Sequence, residues 1–445
     1  MTSTSDFSWR QIARLGLVQA ALGAIVVLMT STLNRIMVVE LALPALLPGA
    51  LVALHYGVQI ARPRLGHGSD VGGRCTPWIL GGMAVLACGG LLASAAVAWM
   101  ASDRGAGIAL AVAAFVLIGL GVAACGTSLL ALLAKRVAPE RRAGAATLVW
   151  LMMIVGFAVT AGIAGKLLDP YSPQRLLAVT LGVCTLAMLL TVLAITGLEG
   201  RPAAGTAPRG PVAAAPEHRF ALVLREVWAE PAARHFTIFV FVSMLAFSAQ
   251  DLILEPFAGS VFGFTPGQST SLSGVQHGGV LAGMLLATLA GRRWRGRRFG
   301  SLRAWTVGGC LASALALGGL VAAGLLGGGW PFKLNVWLLG AANGAFSIAA
   351  IGSMMRLAGE GRESREGLRM GLWGGAQAIA FALGGLVGTA ASDIARALIA
   401  NPGTAYAAVF GLEALLFVVS ARLAAGVGQA PAEDGPAPSW NVAHG

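Results

Sequence analysis

Charge is scarce in this chain. Asp, Glu, Lys and Arg make up 11% of its 445 residues, where a soluble protein carries about 25%. So little charge excludes a soluble domain, because apolar runs of about 20 residues recur too often to share one core. Aspartate is rarer still. The seven are Asp6, Asp70, Asp103, Asp169, Asp251, Asp393 and Asp434, and no two lie within ten residues of each other. Attaching a prenyl chain to an acceptor needs a diphosphate held through magnesium, the task of N-x-x-x-D or D-x-x-x-D helices. No such pair is present, nor is a P-loop, a zinc motif or a nucleophile elbow. These absences read as a chain that is not an enzyme. The five cysteines are scattered and include no C-x-x-C pair, which excludes a disulfide framework and leaves no metal site to assign. No cleavage site stands out after "MTSTSDFSWRQIARLG", which leads into a full-length apolar span, so a cleaved leader is not expected.

What is abundant is apolar surface and glycine. Hydrophobic residues form 56% of the chain, and there are 62 glycines, about twice average usage. Small residues let membrane helices approach closely. Apolar runs long enough to cross a bilayer fall at 15–33, 42–61, 78–100, 107–134, 145–168 and 176–198. A second set falls at 235–257, 272–291, 303–327, 333–357, 369–390 and 404–424. The sequence therefore predicts an all-α membrane protein with twelve transmembrane helices. The Pro-, Ala- and Gly-rich stretch "EGRPAAGTAPRGPVAAAPEHR" separates two six-helix halves. The expected units are a bundle at 1–198, a linker at 199–233, a second bundle at 234–428 and a tail at 429–445.

The net charge of +12 does not indicate nucleic acid, because the basic residues sit between the spans. Of the 31 lysines and arginines, 25 fall on the side of the termini and 6 on the other. The positive-inside rule then makes both termini cytoplasmic. The halves also repeat each other. "KRVAPERRAGAATLVW" before span five corresponds to "MRLAGEGRESREGLRMGLWGG" before span eleven. "LNRIMVVELALP" at the end of span one corresponds to "AQDLILEPF" in span seven. Parallel six-helix repeats describe one transporter superfamily. The loop "GHGSDVGGR" after span two resembles the cytoplasmic G-x-x-[AS]-D-x-x-G-R loop of the major facilitator superfamily, through Gly66, Asp70, Gly73 and Arg74. The matching loop of the second half, "GRRWRGRRFG", keeps the basic charge and loses the aspartate.

"LNRIMVVELALPALLPG", "ALHYGVQIARPRLGHGSD" and "QDLILEPFAGSVFG" are similar to the PucC/LhaA branch of that superfamily, over nearly the whole chain. The resemblance implies two pseudo-symmetric six-helix bundles in the inner, intracytoplasmic membrane of a phototrophic bacterium. It implies a role in binding or delivering bacteriochlorophyll and in assembling light-harvesting antenna complexes. The partners it implies are antenna polypeptides or the bacteriochlorophyll synthase, with membrane lipid around them. Two alternatives stay open: a secondary transporter of a small amphipathic solute, and a non-catalytic partner of the synthase.

The residues suggest where a site lies. Asp251 and Glu255 are one helical turn apart and share a face. Pro256 should end or bend span seven there. Counted from residue 235, Asp251 lies about 24 Å along the axis, near the periplasmic boundary. In the facilitator fold spans one and seven face each other, so Arg35 is expected to pair with Asp251 or Glu255. Asn34, Glu40 and Gln250 complete the charged cluster. It reads as a latch between halves, a contact for pigment or polypeptide, or a proton-coupling pair. A proton relay needs a deeper carboxylate, and Glu413 on span twelve is the nearest case. Bacteriochlorophyll needs an axial ligand for its magnesium. His55 and His277 are the candidate intramembrane imidazoles, with His55 preferred for its depth and its neighbour Tyr56.

Overall fold

The computed structural model describes residues 7–59, 74–199, 228–290, 300–359 and 366–426. They form twelve long helices and, among the described residues, no strand. In the first half these are α1 (Trp9–Glu40), α2 (Leu46–Val58), α3 (Thr76–Met100), α4 (Arg104–Arg136), α5 (Pro139–Leu168) and α6 (Pro173–Ile195). In the second they are α7 (Pro231–Phe262), α8 (Pro266–Ala290), α9 (Leu302–Leu326), α10 (Phe332–Gly359), α11 (Glu366–Leu398) and α12 (Pro402–Gly426). Eleven are long and apolar enough to cross a membrane. The exception is α2, with 13 residues, beyond which residues 60–73 are outside the described set. The start of α1 lies beside the ends of α4 and α6, and the start of α9 beside the end of α12; the face that holds Trp9 and Gly426 is called here the termini face.

Local sequence explains where helices begin. Proline occupies the first turn of α3, α5, α6 and α7, where its missing N–H costs nothing. Ser8, Asp103, Ser172 and Ser301 cap α1, α4, α6 and α9 through their side chains, satisfying N–H groups that have no partner within the helix. Outward surfaces are apolar, with Leu193 at 71% and Leu315 at 78% exposure, as lipid contact requires. The bundles meet along two seams, α5 against α8 and α2 against α11. The end of α1 packs on α7 and α8 between the seams.

Two expectations about helix ends need correction. Span one runs on to Glu40, and past Val27 it widens into π-helical turns at Leu28–Leu33 and Ile36–Glu40. Span seven does not end at Glu255 but continues through Pro256 to Phe262. Proline at position 256 removes the N–H that the Leu252 carbonyl would accept four residues earlier. Asn34 of α1 replaces it, donating from Nδ2 to Leu252 O at 2.6 Å. The helix survives because another helix supplies its missing donor. It ends instead at Gly263, whose φ of +66° forms a left-handed cap.

Candidate functional site

The wide turns of α1 bring Ser31, Thr32, Asn34 and Arg35 to bear on the second half. Ser31 Oγ donates to Glu255 Oε1, and the hydroxyls of Thr32 and Thr270 lie 2.9 Å apart. Arg35, 2% exposed, donates to Phe264 O at 2.7 Å and pairs with Glu40 at 3.0 Å. Its guanidinium lies on the bare Cα of Gly259, where any side chain would collide with it. The expected pairing of Arg35 with Asp251 or Glu255 is therefore not made. The wide turns carry Glu40 back toward Arg35, and Ser31 reaches Glu255 first. In the loop after α5, burial and then the nearby Glu40 carboxylate push the Tyr171 phenol above its ordinary value.

Asp251 lies further from the ends of its helix than the sequence suggests, because α7 starts earlier and ends later. It lies about 30 Å from one end of α7 and about 17 Å from the other. It accepts from Gln276 Nε2 of α8 at 3.2 Å and lies within electrostatic reach of Glu255 and Glu413. Glu413 is 3% exposed, and among the described residues neither of its carboxylate oxygens meets a hydrogen-bond partner. Gln250 is fully buried with both side-chain heteroatoms in the same condition. The structure thus links Asn34, Arg35, Glu40, Asp251 and Glu255 through neighbouring contacts and adds Ser31, Gln276 and Glu413; Gln250 is buried beside Asp251 in the chain. Ser31 was missed because wide turns leave no periodic signal.

The two histidines occupy corresponding helices, the second of each half, one at each seam. His55 on α2 is 2% exposed. Its Nε2 accepts from the Gln59 amide at 2.9 Å, and its ring stands edge-on to Tyr56 with 5.0 Å between centroids. Tyr56 in turn meets Phe381 of α11 at 5.4 Å. His277 on α8 is half-buried and stands edge-on to Phe157 of α5 at 4.9 Å. Its Nδ1 lies 2.8 Å from Ser273 O. A carbonyl only accepts, so Nδ1 carries the hydrogen and the neutral ring keeps its lone pair on Nε2. Among the described residues no hydrogen bond engages that Nε2. Of the facilitator-loop residues, Gly66, Asp70 and Gly73 lie outside the described residues; Arg74 is exposed.

Two carboxylates that sequence reading passed over join the halves. Asp169, just past α5, accepts from Thr265 Oγ1 at 2.8 Å and from Gly267 N at 3.3 Å, at the start of α8. Asp393 of α11 accepts from Ala45 N at 2.9 Å and Leu46 N at 2.7 Å, at the start of α2. Both belong to the fifth helix of their half, so comparing the repeats would have singled them out. Among the described residues no cluster of three or more His, Cys, Asp or Glu is placed to hold a metal ion.

Comparison with known proteins adds relatives to this geometry. Residues 32–431 match the family described as PUCC protein. The chain is 57% identical over 419 residues to the "Bacteriochlorophyll synthase 44.5 kDa chain" of Rhodobacter capsulatus, covering 94% of this chain and 95% of that one. It is 31% identical to "Protein PucC" of Cereibacter sphaeroides, covering 91% and 89%. Among solved structures, one described as "Structural insights into substrate recognition in proton dependent oligopeptide transporters" matches with a TM-score of 0.67 at 15% identity, covering 94% and 98%. A second, a peptide transporter POT in complex with sulfate, matches at 0.66 and 14% identity, covering 95% and 96%. At such identities the likeness is one of fold, the two-bundle facilitator architecture. The first relative's name corrects the reading of a chain that is not an enzyme, since it is the name of a synthase chain. That reading rested on absent motifs, and an absent motif bears only on the chemistry that motif performs.

Proposed function

The chain belongs to the PUCC protein family, and from that premise we propose that it binds or delivers bacteriochlorophyll and assists assembly of light-harvesting antenna complexes. It is a photosynthesis-related, multi-pass membrane protein of facilitator fold. Its place is the bacterial inner, intracytoplasmic membrane. The excess of 25 basic residues over 6 on the termini face favours a cytoplasmic position for both ends and the linker. The partners are antenna polypeptides, or the bacteriochlorophyll synthase that hands over pigment.

The observation that carries this reading is the imidazole of His277. Bacteriochlorophyll offers a magnesium that takes an axial ligand, and a histidine ligand commonly donates its other N–H to a backbone carbonyl. His277 fits, with Nδ1 fixed on Ser273 O and the Nε2 lone pair available. His55 fits less well, because Gln59 already donates to its Nε2 and the ring is buried. The surrounding residues have separate tasks. Phe157 orients the His277 ring, while Asn34, Arg35 and Ser31 tie the bundles together.

A second reading has its own support. Glu413 and Gln250 are buried with unsatisfied polar atoms, and Asp251 lies within electrostatic reach of Glu413, which suits a small amphipathic solute. Two experiments separate the readings. Protein purified gently from phototrophic membranes should carry the far-red absorption of bacteriochlorophyll in near-stoichiometric amount, and its deletion should lower antenna content. Protein without pigment that drives solute flux in vesicles would replace the first reading with the second.

A further inference from the structure

We infer that Asp169 and Asp393 are a matched pair of clasps that hold the face opposite the termini shut, and that this face opens when both release. In each half the carboxylate belongs to the fifth helix and its target is the first turn of the second helix of the other half. Asp169 takes Thr265 and Gly267 of α8. Asp393 takes Ala45 and Leu46 of α2. Each meets helix-start N–H groups that have no partner within their own helix, and the positive end of the helix dipole favours the carboxylate. The contact is therefore strong when made, yet it involves a single side chain and ends cleanly when that side chain moves away.

The surroundings are shaped for these contacts. Any side chain on Gly267 would collide with Asp169. Thr265 is held in position by reciprocal bonds with Gln268, each at 3.1 Å, so its hydroxyl points at Asp169 while capping α8. Asp169 itself is fixed by Arg175, which donates to its backbone carbonyl at 2.5 Å. Between the clasps, the ties of Asn34 to Leu252 O and Arg35 to Phe264 O reinforce the same end of the molecule. The pair thus closes one face from both seams at once. This conclusion stands on the fold and does not depend on the cargo.

The test uses a buried reporter near that face, Val38→Cys, a position 2% exposed at the end of α1. A membrane-impermeant maleimide is added from the side opposite the termini, in a chain whose exposed Cys88 is replaced by Ala. With both clasps intact, labelling should be slow. With Asp169→Ala and Asp393→Ala together it should rise about tenfold or more, and with either alone by less than their combined effect. A second measurement covers misfolding of the double variant. Oxidising an Asp169→Cys/Thr265→Cys pair should lock the face, keep the Val38→Cys reporter unreactive and abolish function until reductant is added. Unchanged labelling in a folded double variant, or full function in the oxidised lock, would overturn the inference.

Discussion

The two seams share a clasp and differ in what fills them. Along α5 and α8 the backbones nearly touch. A Cβ on Gly274 would lie 2.9 Å from Gly162 N, and one on Gly165 would lie 2.6 Å from Gly267 O. Along α2 and α11 the filling is side chain: Tyr56 on Phe381, and Thr389 against Gly49. A glycine seam gains its contact from close approach, and at its glycine positions backbone meets backbone. An aromatic seam has rings that can turn. The difference places rigidity and the available His277 together on one side, and an engaged His55 on the other.

The sharpest way to break this comparison is to disturb the filling of each seam, overpacking one and trimming the other. Gly165→Leu or Gly274→Leu should cost 1–3 kcal/mol or more, about what overpacking costs in a close-packed interior, and should deplete folded protein. Phe381→Leu on the other seam removes part of a half-buried ring and should cost less, about 1 kcal/mol. Thermal unfolding in detergent, followed by size-exclusion, compares them; equal losses at both seams would remove the distinction.

The tie between the seams provides a control of nearly the same size. Asn34→Leu leaves the Leu252 carbonyl without a partner, at a cost of about 1–3 kcal/mol for a buried orphan. Pro256→Ala restores the helix's own N–H, so it should rescue Asn34→Leu while changing the wild-type chain little. Additive effects in that double-mutant cycle would show that Asn34 is not the replacement donor.

Smaller effects follow at the clasps and the ion pair. Removing a helix-capping side chain costs about 0.5–2 kcal/mol. Asp393→Ala should fall higher in that range than Asp169→Ala, because Asp393 takes two backbone N–H groups and Asp169 one. The coupling between Arg35 and Glu40 should be smallest, about 0.2–1 kcal/mol, since the Glu40 side chain is 37% exposed. Stability cycles on the four single and two double variants order these terms.

How much of this was legible in the sequence depends on which residues carry it. Twelve apolar runs are legible in the sequence, and the structure has a helix at each, eleven of them long enough to cross a membrane. The site was legible as a neighbourhood: Asn34 and Arg35 do meet α7, and Glu40 meets Arg35. Its wiring was not. Periodic reading assumes 3.6 residues per turn, and the π-helical end of α1 breaks that register. Pro256 reads as an end or a bend of the helix, and local rules do not see the Asn34 side chain of another helix that lets it continue. Asp169 and Asp393 read as ordinary loop and helix-end acids until the seams place each against a helix start.

The central claim, pigment held through His277, is tested most directly by resonance Raman on bacteriochlorophyll bound to purified protein. The coordination-sensitive bands report whether the magnesium has an axial ligand and respond to which ligand it is. The account predicts one five-coordinate pigment in the wild-type chain, bands unchanged by His55→Ala, and bands shifted or pigment lost in His277→Ala. Bands that survive His277→Ala and shift in His55→Ala, or that survive both, would contradict it.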